Sequence, residues 1–169
     1  MFTIGDLVIY SSHGICKIDD ICDKTIFGTT KKYYVLHPME DDHQLTISTP
    51  VNNDKVMMLE LIDREEAQQI LDSFHHPGVE WNTNHHERFQ QYSTIIKTGD
   101  RKEIAKVINT LIRKKIEAER NERKFYERES GMLKETKQIL FEELAISLDT
   151  TFEKINEMVL RSLKEAELV

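Results

Sequence analysis

Asp63-Arg-Glu-Glu-Ala-Gln-Gln-Ile-Leu-Asp-Ser-Phe74 is the stretch at which the chain changes its period. Asp63 with Glu66 three residues on has the spacing of a capping box. Ala67, Ile70, Leu71 and Phe74 then recur at helical spacing and give one apolar face. Everything before this stretch reads as β, and everything after it as helix.

Toward the N-terminus, Asp6-Leu-Val-Ile-Tyr10 is a short apolar run that ends at the turn Ser11-Ser-His-Gly14. Ile15-Cys-Lys-Ile-Asp-Asp-Ile-Cys22 alternates with period near two apart from one polar pair. Thr25-Ile-Phe27 stops at Gly28, Lys31-Lys-Tyr-Tyr-Val-Leu-His37 stops at Pro38, and Gln44-Leu-Thr-Ile-Ser-Thr49 stops at Pro50. Five short strands with Gly or Pro punctuation predict a small, strongly bent sheet or barrel. A sheet this small leaves strand edges that can accept a strand from another protein.

Toward the C-terminus, Pro77-Gly78 ends the first helix. Phe89, Tyr92, Ile95 and Ile96 mark a second, closed by Gly99. Asp100 reads as an N-cap before the stripe Ile104, Val107, Ile108, Leu111 and Ile112. Leu133, Thr136, Ile139, Leu140, Leu144 and Leu148 mark a fourth helix. Phe152, Ile155, Met158, Val159 and Leu163 mark a fifth, with Asp149 or Thr150 as its cap. The expected class is α+β, with a β-rich domain over 1–60 and an all-helical bundle over 61–169.

The chain has 169 residues, 23 basic and 30 acidic, for a net charge of −7. That length can bury a real core, and its composition is that of a soluble globular protein. No window approaches the ~18 apolar residues of a membrane span. Met1-Phe-Thr-Ile-Gly-Asp6 has neither the basic nor the apolar region of a secretory signal, so a cytoplasmic location and no membrane partner are expected. The charge is unevenly spread. Residues 1–74 hold six basic and thirteen acidic residues, which accounts for the whole deficit. Residues 97–128 hold eleven basic and six acidic residues, an excess of +5. Such asymmetry suggests two surfaces with different partners, unless these are only solvated helix faces.

Signs of catalysis are missing. There is no Gly-rich phosphate loop, nucleophile elbow or His-Glu-x-x-His. His75-His76 and His85-His86 are adjacent pairs, and neighbours in sequence do not share a helix face as metal ligands do. Cys16 and Cys22 are both even-numbered strand positions that could lie on one face, and they read as buried thiols. The paired carboxylates Asp19-Asp20, Asp41-Asp42 and Glu142-Glu143 show no basic or aromatic frame that would tune a general acid. Neither an enzyme, a metal nor a cofactor is expected.

Trp81 is the only tryptophan and lies in the polar segment Pro77-Gly-Val-Glu-Trp-Asn-Thr-Asn84. Two readings stand. The indole could cap the gap between two helices. It could instead be an exposed aromatic on a rigid loop, able to wedge against an unstacked base step in a minor groove. Arg101, Lys102, Lys106, Arg113, Lys114 and Lys115 follow on one helix, and Arg88 sits on the helix before it. Helical spacing puts Lys102, Lys106 and Arg113 on one side, away from the apolar stripe. Side chains there would contact phosphates, with salt-dependent and sequence-tolerant affinity. No base-reading set is visible, so direct sequence readout is not expected.

These residues resemble the bacterial CarD/CdnL transcription regulators, whose N-terminal module is shared with transcription-repair coupling factor. The likeness is carried by Phe2-Thr-Ile-Gly-Asp-Leu-Val-Ile-Tyr10, His13-Gly-Ile15, Lys24-Thr-Ile-Phe-Gly28, Tyr33-Tyr-Val-Leu36 and Leu45-Thr-Ile-Ser-Thr-Pro50. It continues through Trp81, Arg88-Phe89, Thr98-Gly-Asp100, Val107-Ile-Asn-Thr-Leu-Ile-Arg-Lys114 and Lys137-Gln-Ile-Leu-Phe-Glu-Glu-Leu-Ala145. The resemblance implies a Tudor-like β module that binds the RNA polymerase β subunit through a strand edge. It also implies a helical domain that touches promoter DNA and stabilises the open complex, with Trp81 as the minor-groove wedge. Arg88, Arg113 and Lys114 match basic DNA-facing positions. Lys24 matches a basic position on the polymerase side, and Thr46, Ile47 and Ser48 lie in the polymerase-contacting strand.

The sequence departs from that pattern at four places. Ser48 stands where the family has Arg, and Gln90 replaces a basic residue. Ser130-Gly131 replaces a basic pair, and the segment from Trp81 to Arg88 is longer. These losses motivate an alternative, a divergent polymerase-binding module with weak or lost DNA binding.

Overall fold

The computed structural model describes residues 1–40 and 44–169, so the Asp41-Asp42 pair lies outside the described residues. The chain divides into two compact units, residues 1–61 and 62–169.

The first unit is an antiparallel sheet of five strands, β1 (Leu7–Tyr10), β2 (Ile15–Ile26), β3 (Thr29–Pro38), β4 (Ile47–Pro50) and β5 (Met58–Glu60), in the order β4-β3-β2-β1-β5. Strands β4 and β5 form its two edges. Its core is Val8, Tyr10, Cys16, Ile18, Tyr34 and Leu36, with Phe2 edge-on to Tyr34 at 6.0 Å.

Three details differ from the sequence expectation. Thr25-Ile-Phe27 is not a strand of its own. Strand β2 runs on to Ile26 and turns through Phe27 and Gly28, which both have positive φ, 50° and 78°. A two-residue turn with this backbone matches the twist of the paired strands. The strand expected from Gln44 starts at Ile47, because Gln44 itself has φ 54°. Strand β5 was too short to show a period, being three residues long.

The polar pair in β2 has a physical meaning. The pairing runs Ile18↔Leu36 and then Asp20↔Val35, so Asp19 is an extra residue and the strand bulges. Side chains alternate across a strand, so one extra residue reverses every face beyond it. Ile21 therefore pairs with Tyr34 and packs on the core, while Cys22 pairs with Tyr33 on the opposite face. Cys16 is buried and Cys22 is half-buried, and the two thiols do not share a face as expected.

The second unit holds five α-helices, α1 (Arg64–Asp72), α2 (His85–Lys97), α3 (Arg101–Arg120), α4 (Glu127–Ser147) and α5 (Phe152–Glu165). The Asp63 side chain accepts from Glu66 N–H at 2.8 Å, the expected cap. Asn84 and Asp100 each accept from two backbone N–H groups of α2 and α3. The cap of α5 is Thr151, which accepts from Lys154 N–H at 3.2 Å. Asp149 and Thr150, the expected caps, instead end α4. Thr150 N–H donates to Ala145 O, and Asp149 has φ 54°. Helix α4 starts without a side-chain cap, since its N-cap residue is Tyr126.

The five helices close over Phe74, Ile108, Leu111, Phe141, Leu144, Ile155 and Leu163, all fully buried. Phe141 meets Phe74 edge-on at 6.1 Å and Phe152 at 5.8 Å. Truncating Phe74 or Phe141 to Ala costs about 3–5 kcal/mol. Glu143 is fully buried as well. It accepts from the Arg101 guanidinium at 3.1 and 2.9 Å and from Ile62 N–H at 3.1 Å. The carboxylate pair at Glu142-Glu143 thus does have a basic partner, which lies 42 residues away in sequence. Its role is to fasten the start of the helical unit. No described helix is long and apolar enough to cross a membrane.

Burial pushes the Cys16 thiol up from 9.0 to about 11. The fold thus prefers the protonated thiol, and the unfolded chain releases that proton first. The stability it contributes is full below pH 9 and is lost between pH 9 and about 11. A thiol reagent at neutral pH is expected to modify Cys22 rapidly and Cys16 only after unfolding, which reagent titration with and without denaturant checks.

Candidate functional site

Trp81 sits on the segment between the 3-10 turn Ser73–His75 and α2, and side chains of α2 and α3 tie that segment down on both sides of it. Asn109 of α3 donates to His76 O at 2.8 Å, and Thr110 donates to Val79 O at 2.7 Å. Val79 N–H donates back to Lys106 O at 3.3 Å. Tyr92 of α2 donates to Glu80 O at 2.8 Å, and Arg88 donates to Asn82 O at 2.8 Å. Burial pushes the Tyr92 phenol up to about 12, so it remains a donor throughout the neutral range. Gly78 lies against α3 so closely that a Cβ there would stand 2.3 Å from Lys106 O. A side chain would lift the loop off the helix, which makes glycine a steric requirement at this point.

Arg88 is the centre of the arrangement. Its side chain is fully buried and pairs with the buried Glu129 of α4 at 2.9 Å. Both Nε and Nη2 donate to Glu129 Oε1, and Nη1 reaches Asn82 O, so three donors fix the plane of the guanidinium. Its Cζ lies 3.8 Å from the Trp81 ring centroid and 4.7 Å from that of Tyr126. The two rings are 6.2 Å apart at 43°. Lys114 Nζ is 5.4 Å from the indole centroid. Arg128 covers Phe89 at 3.8 Å and ties the first turn of α4 to α2.

The two readings of Trp81 meet in this geometry. The indole is half-buried and packs against the helical core, yet it keeps part of its surface open. The expected role of Arg88 is corrected. It is not an exposed ligand for phosphate, because its charge is already spent on Glu129 and it carries no solvent exposure. Its function here is to hold Trp81 and Tyr126. Lys102 and Lys106 are exposed on α3, and Lys106 pairs with Glu103 at 2.9 Å. Lys114 is one-third exposed and pairs with Glu117 at 3.2 Å. Arg113 is half-buried, and its Nε has no hydrogen-bond partner.

Two residues of the site were missed in the sequence. Tyr126 had a signal, the aromatic pair Phe125-Tyr126 after the basic Arg123-Lys124. Glu129 had none, since the charge that it neutralises lies 41 residues earlier.

On the sheet, Lys24 Nζ donates to the Ser48 hydroxyl at 2.6 Å, which brings two of the expected polymerase-side residues together. Ser48 pairs with Val35 on the outer face of β4, and Thr46 is exposed just before that strand. Ile47 turns inward, pairs with Leu36 and packs against the sheet core. It can offer a partner only its backbone. Among the described residues, no group of three or more His, Cys, Asp or Glu could hold a metal ion. His75 instead pairs with Glu165 at 3.1 Å, and that hydrogen bond raises its pKa.

Arg88→Ala would leave Glu129 charged and buried, at an expected cost of about 3–5 kcal/mol in urea unfolding. The double change Arg88→Met with Glu129→Leu is expected to recover most of that loss, because no buried charge remains.

Two family models span most of the sequence. Residues 2–62 match the CarD-like/TRCF RID domain, and residues 60–160 match the CarD C-terminal domain. RID denotes the RNA polymerase interaction domain, and such domains are associated with transcription. With both modules matched in order over a five-stranded sheet and a helical bundle, the chain belongs to the CarD family.

Proposed function

We propose that this protein is a cytoplasmic, non-catalytic transcription regulator that stabilises the promoter open complex. The edge of the sheet at β4 docks on the RNA polymerase β subunit. There the backbone of Ile47, with Thr46, Ser48 and Lys24 beside it, meets a strand of the partner. The helical unit holds DNA phosphates through Lys102, Lys106, Arg113 and Lys114, with low sequence specificity. Trp81 supports the upstream edge of the melted region as a wedge in the minor groove. The observation that carries this reading is the fixed indole, backed at 3.8 Å by a guanidinium that is itself fully buried. A wedge must resist the restacking of bases. A ring packed on a guanidinium that three hydrogen bonds hold in place is pre-organised to do so.

The test is the lifetime of the open complex in competitor-challenge assays with the full chain. Trp81→Ala is expected to shorten it about fivefold or more, while pull-down by the polymerase β subunit is unchanged. Equal lifetimes with equal pull-down overturn the wedge.

The second reading, an interaction module with weak DNA binding, is favoured by the ion pairs of Lys106 and Lys114 and by the burial of Arg88. A salt titration of duplex affinity separates the two. Four phosphate contacts give a slope of about −3 to −4, and each Lys→Ala change on α3 lowers its magnitude by about one. A slope near zero favours the second reading.

A further inference from the structure

Tyr126 stands where a helix usually begins with a small polar residue, and it does nothing that such a residue does. Its backbone is extended, with φ −62° and ψ 128°, and its side chain makes no cap bond. The residues at the corresponding points of α1, α2, α3 and α5 all supply a capping oxygen. The ring is not a core residue either, since it is 50% exposed.

What the ring does have is company. It lies 6.2 Å from Trp81, 6.2 Å from the nearly parallel His85 ring at 21°, and 6.1 Å from Phe125. The Arg88 guanidinium backs both Tyr126 and Trp81, so one buried cation fixes the two rings together. The surroundings are cationic. Arg123, Lys124 and Arg128 are exposed next to Tyr126 in sequence, against Glu122 and Glu127, and Lys114 stands by the indole.

An aromatic ring with an open surface in a basic setting has a defined use. Bases inside a duplex are stacked on both sides and offer only their edges. A base that has lost its neighbour offers a π-face, and stacking on an aromatic side chain then replaces the lost contact regardless of base identity. Arg88 lies over both rings, and half of the Tyr126 surface remains open to a base.

We propose that Tyr126 is a second nucleobase-stacking residue, forming with Trp81 a two-ring platform for an unstacked base at the edge of melted DNA. This rests on the reading of the helical unit as a DNA-binding surface and extends it to a residue and to a class of ligand.

The experiment compares a blunt duplex with an otherwise identical duplex that has a short unpaired end. Both carry a fluorescent label and are titrated at one salt concentration with the wild-type chain, Tyr126→Phe and Tyr126→Ser. Serine removes the ring but supplies the capping hydroxyl that tyrosine lacks, so α4 keeps its start. Thermal melts of all three proteins check this. The wild type is expected to prefer the forked DNA, and Tyr126→Phe to keep that preference within about twofold. Tyr126→Ser is expected to lose about fivefold or more on the fork and to change little on the blunt duplex. Retention of the wild-type preference by Tyr126→Ser overturns the proposal. A wild type that binds both DNAs equally also overturns it, while leaving DNA binding intact. A wild type that binds neither overturns the DNA-binding reading along with it.

Discussion

The helical unit depends on one buried ion pair, Arg88 with Glu129. Removing two charges from water costs several kcal/mol per ion, and their attraction offsets this only if the remaining hydrogen-bonding capacity is used. Arg88 meets that condition by donating twice to Glu129 and once to Asn82 O. The pair therefore serves geometry more than stability. It joins α2, α4 and the loop of Trp81 at a single point, and it holds both aromatic rings against one guanidinium. A lysine could carry the charge but not the plane, since its ammonium is a point donor.

Much of the fold was legible in the sequence because it is local. The caps at Asp63 and Asp100 and the stripe Val107, Ile108, Leu111 and Ile112 each depend on residues within a turn or two. The features that escaped are those set by distant partners or by too few residues. Strand β5 has three residues and exists because β1 pairs with it. Thr151 caps α5 because α4 ends in a left-handed turn at Asp149. In the site, Trp81 was visible as an isolated aromatic, and the basic run of α3 was visible as charge. Arg88 was misread because nothing near it in sequence announces a carboxylate 41 residues on. A basic residue is by default a surface residue, and only its partner reveals the exception.

The net charge of −7 describes neither unit. Residues 1–61 hold five basic and nine acidic residues and residues 62–169 hold eighteen and twenty-one, so the deficit is shared between the two units, −4 and −3. The helical unit is neutral only beyond Phe74, and two kinds of cation stand out in it. Arg88 and Arg101 are consumed by Glu129 and Glu143 and hold the bundle together. Lys102, Arg123, Lys124 and Arg128 remain exposed. Counting basic residues overstates such a surface, because burial and pairing decide which charges an outside anion can meet.

The bulge at Asp19 also governs how this sheet can vary over generations. Because one of the two aspartates is surplus to the alternation, loss of one residue from Asp19-Asp20 would leave Ile18 and Ile21 both facing the core and Cys22 facing away, with every β3 partner beyond the bulge unchanged. The lineage is therefore free to shed one residue here, with loss only of the bend and added twist that the bulge supplies.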